Sequence, residues 1–298
     1  MARRIAPSTL LWLILPPLLW AGNAVAGRLA VGSVSPLLLN ALRWTIAALL
    51  LLPLGWRILK ADSPLWPQWR RFAVLGLLGM GSYNALQYLA LTTSSPINVT
   101  LIAASMPVWM LIVGALCYGE RARRTQVLGA LLSLAGVLLV LSRGQWDTLR
   151  QVRLVPGDLY MVVAVIAWAF YSWMLARPAP GERQWPWAEF LMAQTAIGLL
   201  WAGGAAVGEW AAGSAHVEIN AWVLLLLAYV AIGPSLIAYR CWGLGVAAVG
   251  PTIAAFFGNL TPVFAAMMSA AVLGDPPRWF HAAAFVLIAA GIVVSSRR

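Results

Sequence analysis

Groups suited to acid–base or metal chemistry are scarce in this chain, and they do not converge. Its 298 residues hold nine carboxylates, two histidines and two cysteines. Glu120, Asp158, Glu189 and Asp275 stand at the ends of apolar stretches, while Asp62, Asp147, Glu182, Glu209 and Glu218 fall between them. His216 and His281 also lie close to such ends. A hydrolase or metalloenzyme needs acid, base and nucleophile, or several ligands, brought to one point. Only His281 with Asp275 comes near that. Cys117 and Cys241 sit inside apolar stretches, too few for a metal site or a disulfide framework. No catalytic residue, metal or cofactor is expected.

Amides, hydroxyls and aromatic rings within the apolar stretches are more suggestive. The third stretch carries Tyr83, Asn84 and Gln87, with Tyr83 and Gln87 four apart on one helical face. The sixth carries Trp168, Tyr171 and Ser172, so that Trp168 shares a face with Tyr171 or Ser172. Trp20 and Asn23 stand in the first, Trp109 in the fourth, Ser235 and Tyr239 in the eighth, and Asn259 in the ninth. Neutral polar groups interleaved with rings suit an amphipathic zwitterion: amides and hydroxyls bond its charged ends while rings cover its side chain. The competing explanation is that these groups bond across helices as packing glue. Several at one depth need either partners or a wet cavity.

Two arginines also lie within apolar stretches. Arg43 is seven residues past Pro36, roughly 10 Å into a helix at about 1.5 Å per residue. A charge there either faces a substrate carboxylate or pairs with carbonyls and snorkels outward. Arg240 stands near the end of the eighth stretch, where snorkelling is the expected behaviour.

The elements that must hold these residues are transmembrane helices. The chain is 62% apolar and 10% charged, against roughly 45–50% and about 25% in a soluble domain. That excludes a soluble enzyme, a nucleic-acid binder and a disordered scaffold. The net charge of +11 therefore sets topology and meets anionic lipid headgroups, not nucleic acid. Apolar stretches fall near 9–31, 36–55, 71–92, 96–118, 125–142, 157–176, 188–208, 219–242, 251–273 and 279–295. Ten spanning helices of about 20 residues leave only short connections.

The chain repeats itself. At a shift of 155 residues, Pro96 falls on Pro251, Pro107-Val108 on Pro262-Val263, Gly119-Glu120 on Gly274-Asp275 and Ala135-Gly136 on Ala290-Gly291. At a slightly different shift, Trp20-Ala21 pairs with Trp168-Ala169. The first stretch, with Arg3-Arg4 before it and Ala24-Val25-Ala26 near its end, imitates a cleavable secretory signal. The repeat argues for keeping it as a helix. Two five-helix units are expected, residues 1–145 and 146–298. Since five is odd, the second must enter the membrane inverted, as in many secondary transporters. With a cytoplasmic N-terminus, thirteen basic residues lie inside (Arg3, Arg4, Arg57, Lys60, Arg70, Arg71, Arg121, Arg123, Arg124, Arg177, Arg183, Arg297 and Arg298). Five lie outside: Arg28, Arg143, Arg150, Arg153 and Arg278. Both termini are thus expected in the cytoplasm. Pro107 and Pro262, matched at helix centres, are the expected hinges, each removing a helix hydrogen bond.

The stretch YNALQYLALTTSSPINVTLIAASMPVWMLIVGALCYGERARRTQVLGALLSLAGVLLV resembles the signature of the drug/metabolite transporter superfamily, in its ten-helix branch of bacterial metabolite exporters. The copy GPTIAAFFGNLTPVFAAMMSAAVLGD with AAAFVLIAAGIVV repeats it, so the resemblance covers nearly the whole chain. Within that branch, the Trp-rich helices and basic loops look most like the aromatic amino-acid exporters. The resemblance implies a helical bundle around a central cavity, with the fifth and tenth helices to one side. The four-helix multidrug relatives depend on a membrane-embedded carboxylate in their first helix; here Asn23 stands near that level.

The expected protein is thus an all-α inner-membrane transporter of small solutes, exporting amino acids by alternating access. An exporter of another metabolite or drug is the nearest alternative. A membrane-embedded enzyme or lipid-handling protein is the alternative of another class.

Overall fold

The computed structural model describes residues 6–30, 32–94, 96–150, 153–273 and 278–297. Among these there is no strand, only a single antiparallel bridge from Val34 to Val217. Apart from short helical turns in the connections, ten longer helical segments follow one another among the described residues. α1 is Pro7–Ala30 and α2 is Pro36–Gly55. α3 runs through Trp69–Leu75, a π-helical turn Gly76–Ser82, and Tyr83–Thr93. α4 is the bent pair Pro96–Ala104 and Met106–Tyr118, and α5 is Arg124–Leu141. α6 is Pro156–Ala176 and α7 is Trp187–Ala211. α8 joins Ala221–Val230, a second π-helical turn Ala231–Ile237, and Ala238–Val249. α9 is Pro251–Gly258 with Thr261–Leu273, and α10 is Trp279–Ser296.

Eight of these are long and apolar enough to cross a membrane, and the bent α4 pair makes a ninth. The remaining one, α3, has the length but is more polar. Ser82, Tyr83, Asn84, Gln87 and Tyr88 interrupt its apolar run. Of these, Tyr83, Asn84 and Tyr88 are its contribution to the site.

The helices pack in cross-half pairs: α5 along α10, α2 along α7, α1 along α8, and α3 against α6 and α7. At the α5–α10 contact a methyl group on Gly129 would come within 2.7 Å of the Gly291 carbonyl, and one on Gly291 equally close to the Gly129 carbonyl. Only glycine lets the two backbones meet there.

Several boundaries differ from the sequence reading. α8 continues to Val249, so Gly243 and Gly245 are helical, and the helix ends at Gly250 with φ +84°. α7 runs to Ala211 and takes Glu209 into its last turn. Pro107 and Pro262 do not bend continuous helices. Each is the second residue of a new helix after a break, at Ser105 and at Asn259–Leu260, where no N–H donor is needed. The α4 break turns the axis by 41°. The Gly274-Asp275 match and the terminal Arg3, Arg4 and Arg298 lie outside the described residues.

The π-turns were not anticipated. Gly76 and Ala231 stand 155 residues apart, as do Ser82 and Ile237. A π-turn leaves carbonyls without their usual helical donors, and side chains from other helices supply them. The Tyr239 hydroxyl donates to the Gly79 carbonyl (2.6 Å) and the Trp20 indole to the Pro234 carbonyl (3.2 Å). Gly79 and Pro234 are themselves 155 residues apart. Asn40 donates to the neighbouring Met80 carbonyl (3.0 Å).

Candidate functional site

A cavity of about 1010 Å³ opens on the face that carries Arg121, Arg123, Arg177 and Arg183. Its walls come from the ends of α4, α6, α7, α8, α9 and α10, and its deepest polar groups are Tyr171, Gln194 and Tyr239. The Tyr171 hydroxyl donates to Gln194 Oε1 at 3.0 Å, which ties α6 to α7 across the floor. Gly79 makes room for that ring: a Cβ there would lie 2.7 Å from Tyr171 Cε2.

Behind the floor the rings close into one cluster. Trp168, only 2% exposed, has Trp20, Tyr83, Tyr171, Tyr239 and Trp242 centred 5.0–5.6 Å away. Its own indole N–H is buried without a partner, as is that of Trp44, which packs edge-on against Tyr239 at 5.0 Å. Buried donors of this kind are rare in native folds and call for an explanation.

A hydrogen-bonded chain runs on from the floor into the bundle. Asn84 Nδ2 donates to the Tyr239 hydroxyl (3.3 Å), and Asn23 Nδ2 donates to Asn84 Oδ1 (3.4 Å). Asn23 Oδ1 in turn accepts from Arg43 Nη1 (3.2 Å) and from the Tyr88 hydroxyl (2.9 Å). Arg43 is 0% exposed and spends its remaining donors on neutral oxygens. Nη1 also reaches the Tyr88 hydroxyl (2.9 Å), while Nε (2.9 Å) and Nη2 (2.7 Å) both bond Ser235 Oγ in the α8 π-turn. Among the described residues no carboxylate pairs with Arg43. It neither snorkels nor meets a counter-ion; neutral oxygens and the Trp44 ring, whose centre is 5.5 Å from the guanidinium carbon, hold it in the bundle.

On the opposite face buried carboxylates hold helix ends. Glu209 caps α2, accepting from Ser35 Oγ (2.7 Å) and from the Leu37 (3.1 Å) and Leu38 (2.8 Å) N–H groups. Asp158 at the head of α6 accepts from the Ser94 hydroxyl, from Asn98 Nδ2 (2.9 Å) and from the Val155 N–H (2.8 Å). The buried carboxylates among the described residues thus serve helix ends, not the centre. His281 accepts from the Arg278 N–H at 3.0 Å as the cap of α10, and Asp275 lies outside the described residues.

Of the residues singled out from sequence, Trp20, Tyr83, Trp168, Tyr171 and Tyr239 meet in the ring cluster. Asn23, Arg43, Asn84, Ser235 and Tyr239 meet in the polar chain. Ser172 Oγ accepts the Trp242 indole (3.1 Å) at the cluster's edge. Three residues do not join. Asn259 donates to Ser133 Oγ in α5 (2.8 Å), an interhelical tie. Trp109 packs partly buried against the apolar core. Gln87 is half-buried without a side-chain hydrogen bond among the described residues. Gln194, Tyr88, Trp44 and Trp242 were missed. Tyr88 is four residues from Asn84, the same spacing that relates Tyr83 to Gln87. Gln194 is a lone amide in the apolar run of α7, with no local pattern to mark it.

A helical membrane bundle with a cavity ending on Tyr171, Gln194 and Tyr239, backed by rings, amides and a buried arginine, belongs to the class of small-solute transporters, not of enzymes. The chain belongs to the EamA-like transporter family, within the drug/metabolite transporter superfamily: it matches the family over residues 7–142 and again over 155–297. It is 28% identical to the aromatic amino acid exporter YddG of Ancylobacter novellus, over 94% of this chain and 93% of that one. It is 27% identical to an uncharacterized transporter of Bacillus subtilis, YyaM, over 76% of this chain and 72% of the relative. An uncharacterized transporter of Archaeoglobus fulgidus is 26% identical over 97% of this chain and 98% of its own. A solved crystal structure at 25% identity superposes with a TM-score of 0.74, covering 96% of both chains.

Proposed function

We propose that this transporter exports amino acids, aromatic ones included, across the bacterial inner membrane by alternating access between two inverted five-helix repeats. The observation that carries the reading is the continuity of the site. A wide cavity ends on Tyr171, Gln194 and Tyr239, and from Tyr239 a chain of amides leads to Arg43. Rings would cover an aromatic side chain, and the free Trp168 indole donor and Arg43 suit a carboxylate. The nearly full-length relation to an aromatic amino acid exporter supports that substrate class. The double family match and the repeat-spaced π-turns support the duplication. The open face bears the arginine majority expected in the cytoplasm, which supports a cavity open to the side from which an exporter loads.

The test is uptake of labelled amino acids into proteoliposomes. Phenylalanine, tyrosine or tryptophan should enter. Trp168→Ala, Tyr171→Ala and Gln194→Ala should each slow entry at matched membrane abundance. Wild-type rates in all three variants would overturn the site. Transport of some other metabolite with no response to any amino acid would overturn the substrate class.

A further inference from the structure

Arg240 was expected to snorkel, and its side chain does reach toward the end of the bundle, but within the cavity. It lies nine residues before the end of α8, roughly 13 Å along the helix at about 1.5 Å per residue. Its side chain is exposed, but to the cavity that it lines. The guanidinium sits 5.2 Å over the ring of Trp187, the first residue of α7 and part of the same wall. Among the described residues it has no carboxylate and no hydrogen-bond acceptor as partner.

The two carboxylates that also line the cavity cannot neutralise it, because both are engaged. Glu120 pairs with Arg177 at 2.6 Å. Glu182 pairs with Arg71 at 2.5 Å and accepts the Ala179 N–H at 2.9 Å. The arginines of the loops are accounted for by topology. Arg240 is not in a loop. A charge held inside a membrane helix, facing water and lacking a counter-ion, is poised for a ligand of the opposite sign. The planar guanidinium also offers two parallel donors to a carboxylate.

We propose that Arg240, braced on Trp187, is a carboxylate-binding subsite on the cavity wall that engages an entering solute before it reaches the aromatic floor. It selects for solutes with a free carboxylate and against cationic ones of the same shape. This rests on the transport reading above for its solute, but its charge can be measured without one.

The experiment uses Gly243, one helical turn further along α8. Gly243 lines the cavity, and a Cβ there meets nothing within 4 Å. In a Cys117→Ala, Cys241→Ala background, Gly243→Cys is treated in proteoliposomes with an anionic and with a cationic methanethiosulfonate of similar size. The anionic reagent should react faster, relative to each reagent's rate with a free thiol. Arg240→Gln should lower that ratio on the order of tenfold, and Arg240→Lys should largely keep it. Arg183→Gln, at the mouth, should change it less. A ratio unaltered by Arg240→Gln would overturn the proposal.

In a second arm, binding of phenylalanine, phenylpropionate and phenethylamine is compared in the cysteine-replete protein and its Arg240→Gln variant. Arg240→Gln should weaken the two carboxylates by roughly tenfold or more and leave or tighten the amine. Equal effects on all three would overturn the subsite. If none of the three binds the wild type while the reagent ratio still falls with Arg240→Gln, the amino-acid reading fails and the anion subsite stands.

Discussion

Replacing Arg43 with methionine should leave the protein folded and stop it working. The side chain gives hydrogen bonds to three groups, and each keeps another bond when the guanidinium is gone. Ser235 Oγ still donates to the Val230 carbonyl (2.7 Å), and the Tyr88 hydroxyl still donates to Asn23 Oδ1 (2.9 Å). The loss is therefore three acceptor sites at about 1 kcal/mol each. Against it stands relief of the desolvation penalty of a buried cation, several kcal/mol per ion. The two nearly cancel. At roughly 2–4 °C per kcal/mol, the melting temperature of Arg43→Met in detergent should stay within about 5 °C of wild type. Transport should behave differently. A charge-assisted bond to a substrate carboxylate is worth about 1.5–3 kcal/mol, or roughly tenfold to over a hundredfold in rate. The assay is proteoliposome uptake at matched protein content. A melting temperature lowered by more than about 10 °C would show that the cation holds the fold. Unchanged uptake would show that it does not meet the solute.

Pro107→Ala and Pro262→Ala should slow exchange more than they weaken equilibrium binding, because alanine lets the broken helices straighten. Loss of affinity at unchanged turnover would assign them to binding instead. Gly129→Ala or Gly291→Ala must push α5 from α10, since each Cβ would lie 2.7 Å from the facing carbonyl. A loss of about 1–3 kcal/mol is expected, read as a melting temperature lower by several degrees, and an unaltered melt would contradict the close packing. An imposed pH gradient should not drive accumulation, because the buried carboxylates among the described residues, Asp158, Glu182 and Glu209, are engaged away from the bundle centre. Uptake above equilibrium that an uncoupler abolishes would refute this.

The helical architecture was readable because apolar stretches of spanning length carry their own boundaries: Arg70-Arg71 and Arg123-Arg124 cannot enter hydrocarbon. The residues of the ring cluster and polar chain were readable as types, since Trp20, Asn23, Tyr83, Trp168 and Tyr239 are costly at mid-depth without a purpose. Which face of α3 turns inward was not readable. The extra residue of a π-turn rotates everything beyond it by about 100° on the helical wheel, and neither composition nor period reveals such a residue. Asn84 and Tyr88 consequently take the polar interior that the i, i+4 rule offered equally to Tyr83 and Gln87. The ends of α7 and α8 were placed short for another reason: Glu209, Gly243 and Gly245 look like terminators in isolation. Tertiary partners, the head of α2 for Glu209 and Leu13 of α1 for Gly245, keep them helical.

The paired π-turns bear on history as well as on shape. A π-turn is the scar of one residue inserted into an α-helix whose flanking turns stayed in place. If the halves descend from one five-helix ancestor, two insertions in register mean that the extra residue was there before the gene doubled. That ancestor would have worked as two antiparallel copies, each contributing one unsatisfied carbonyl near the shared centre. After fusion the two lineages diverged around those carbonyls: one took a tyrosine hydroxyl from α8, the other a tryptophan indole from α1. The aromatic character of the central cluster would then have begun as repair of an inherited backbone fault.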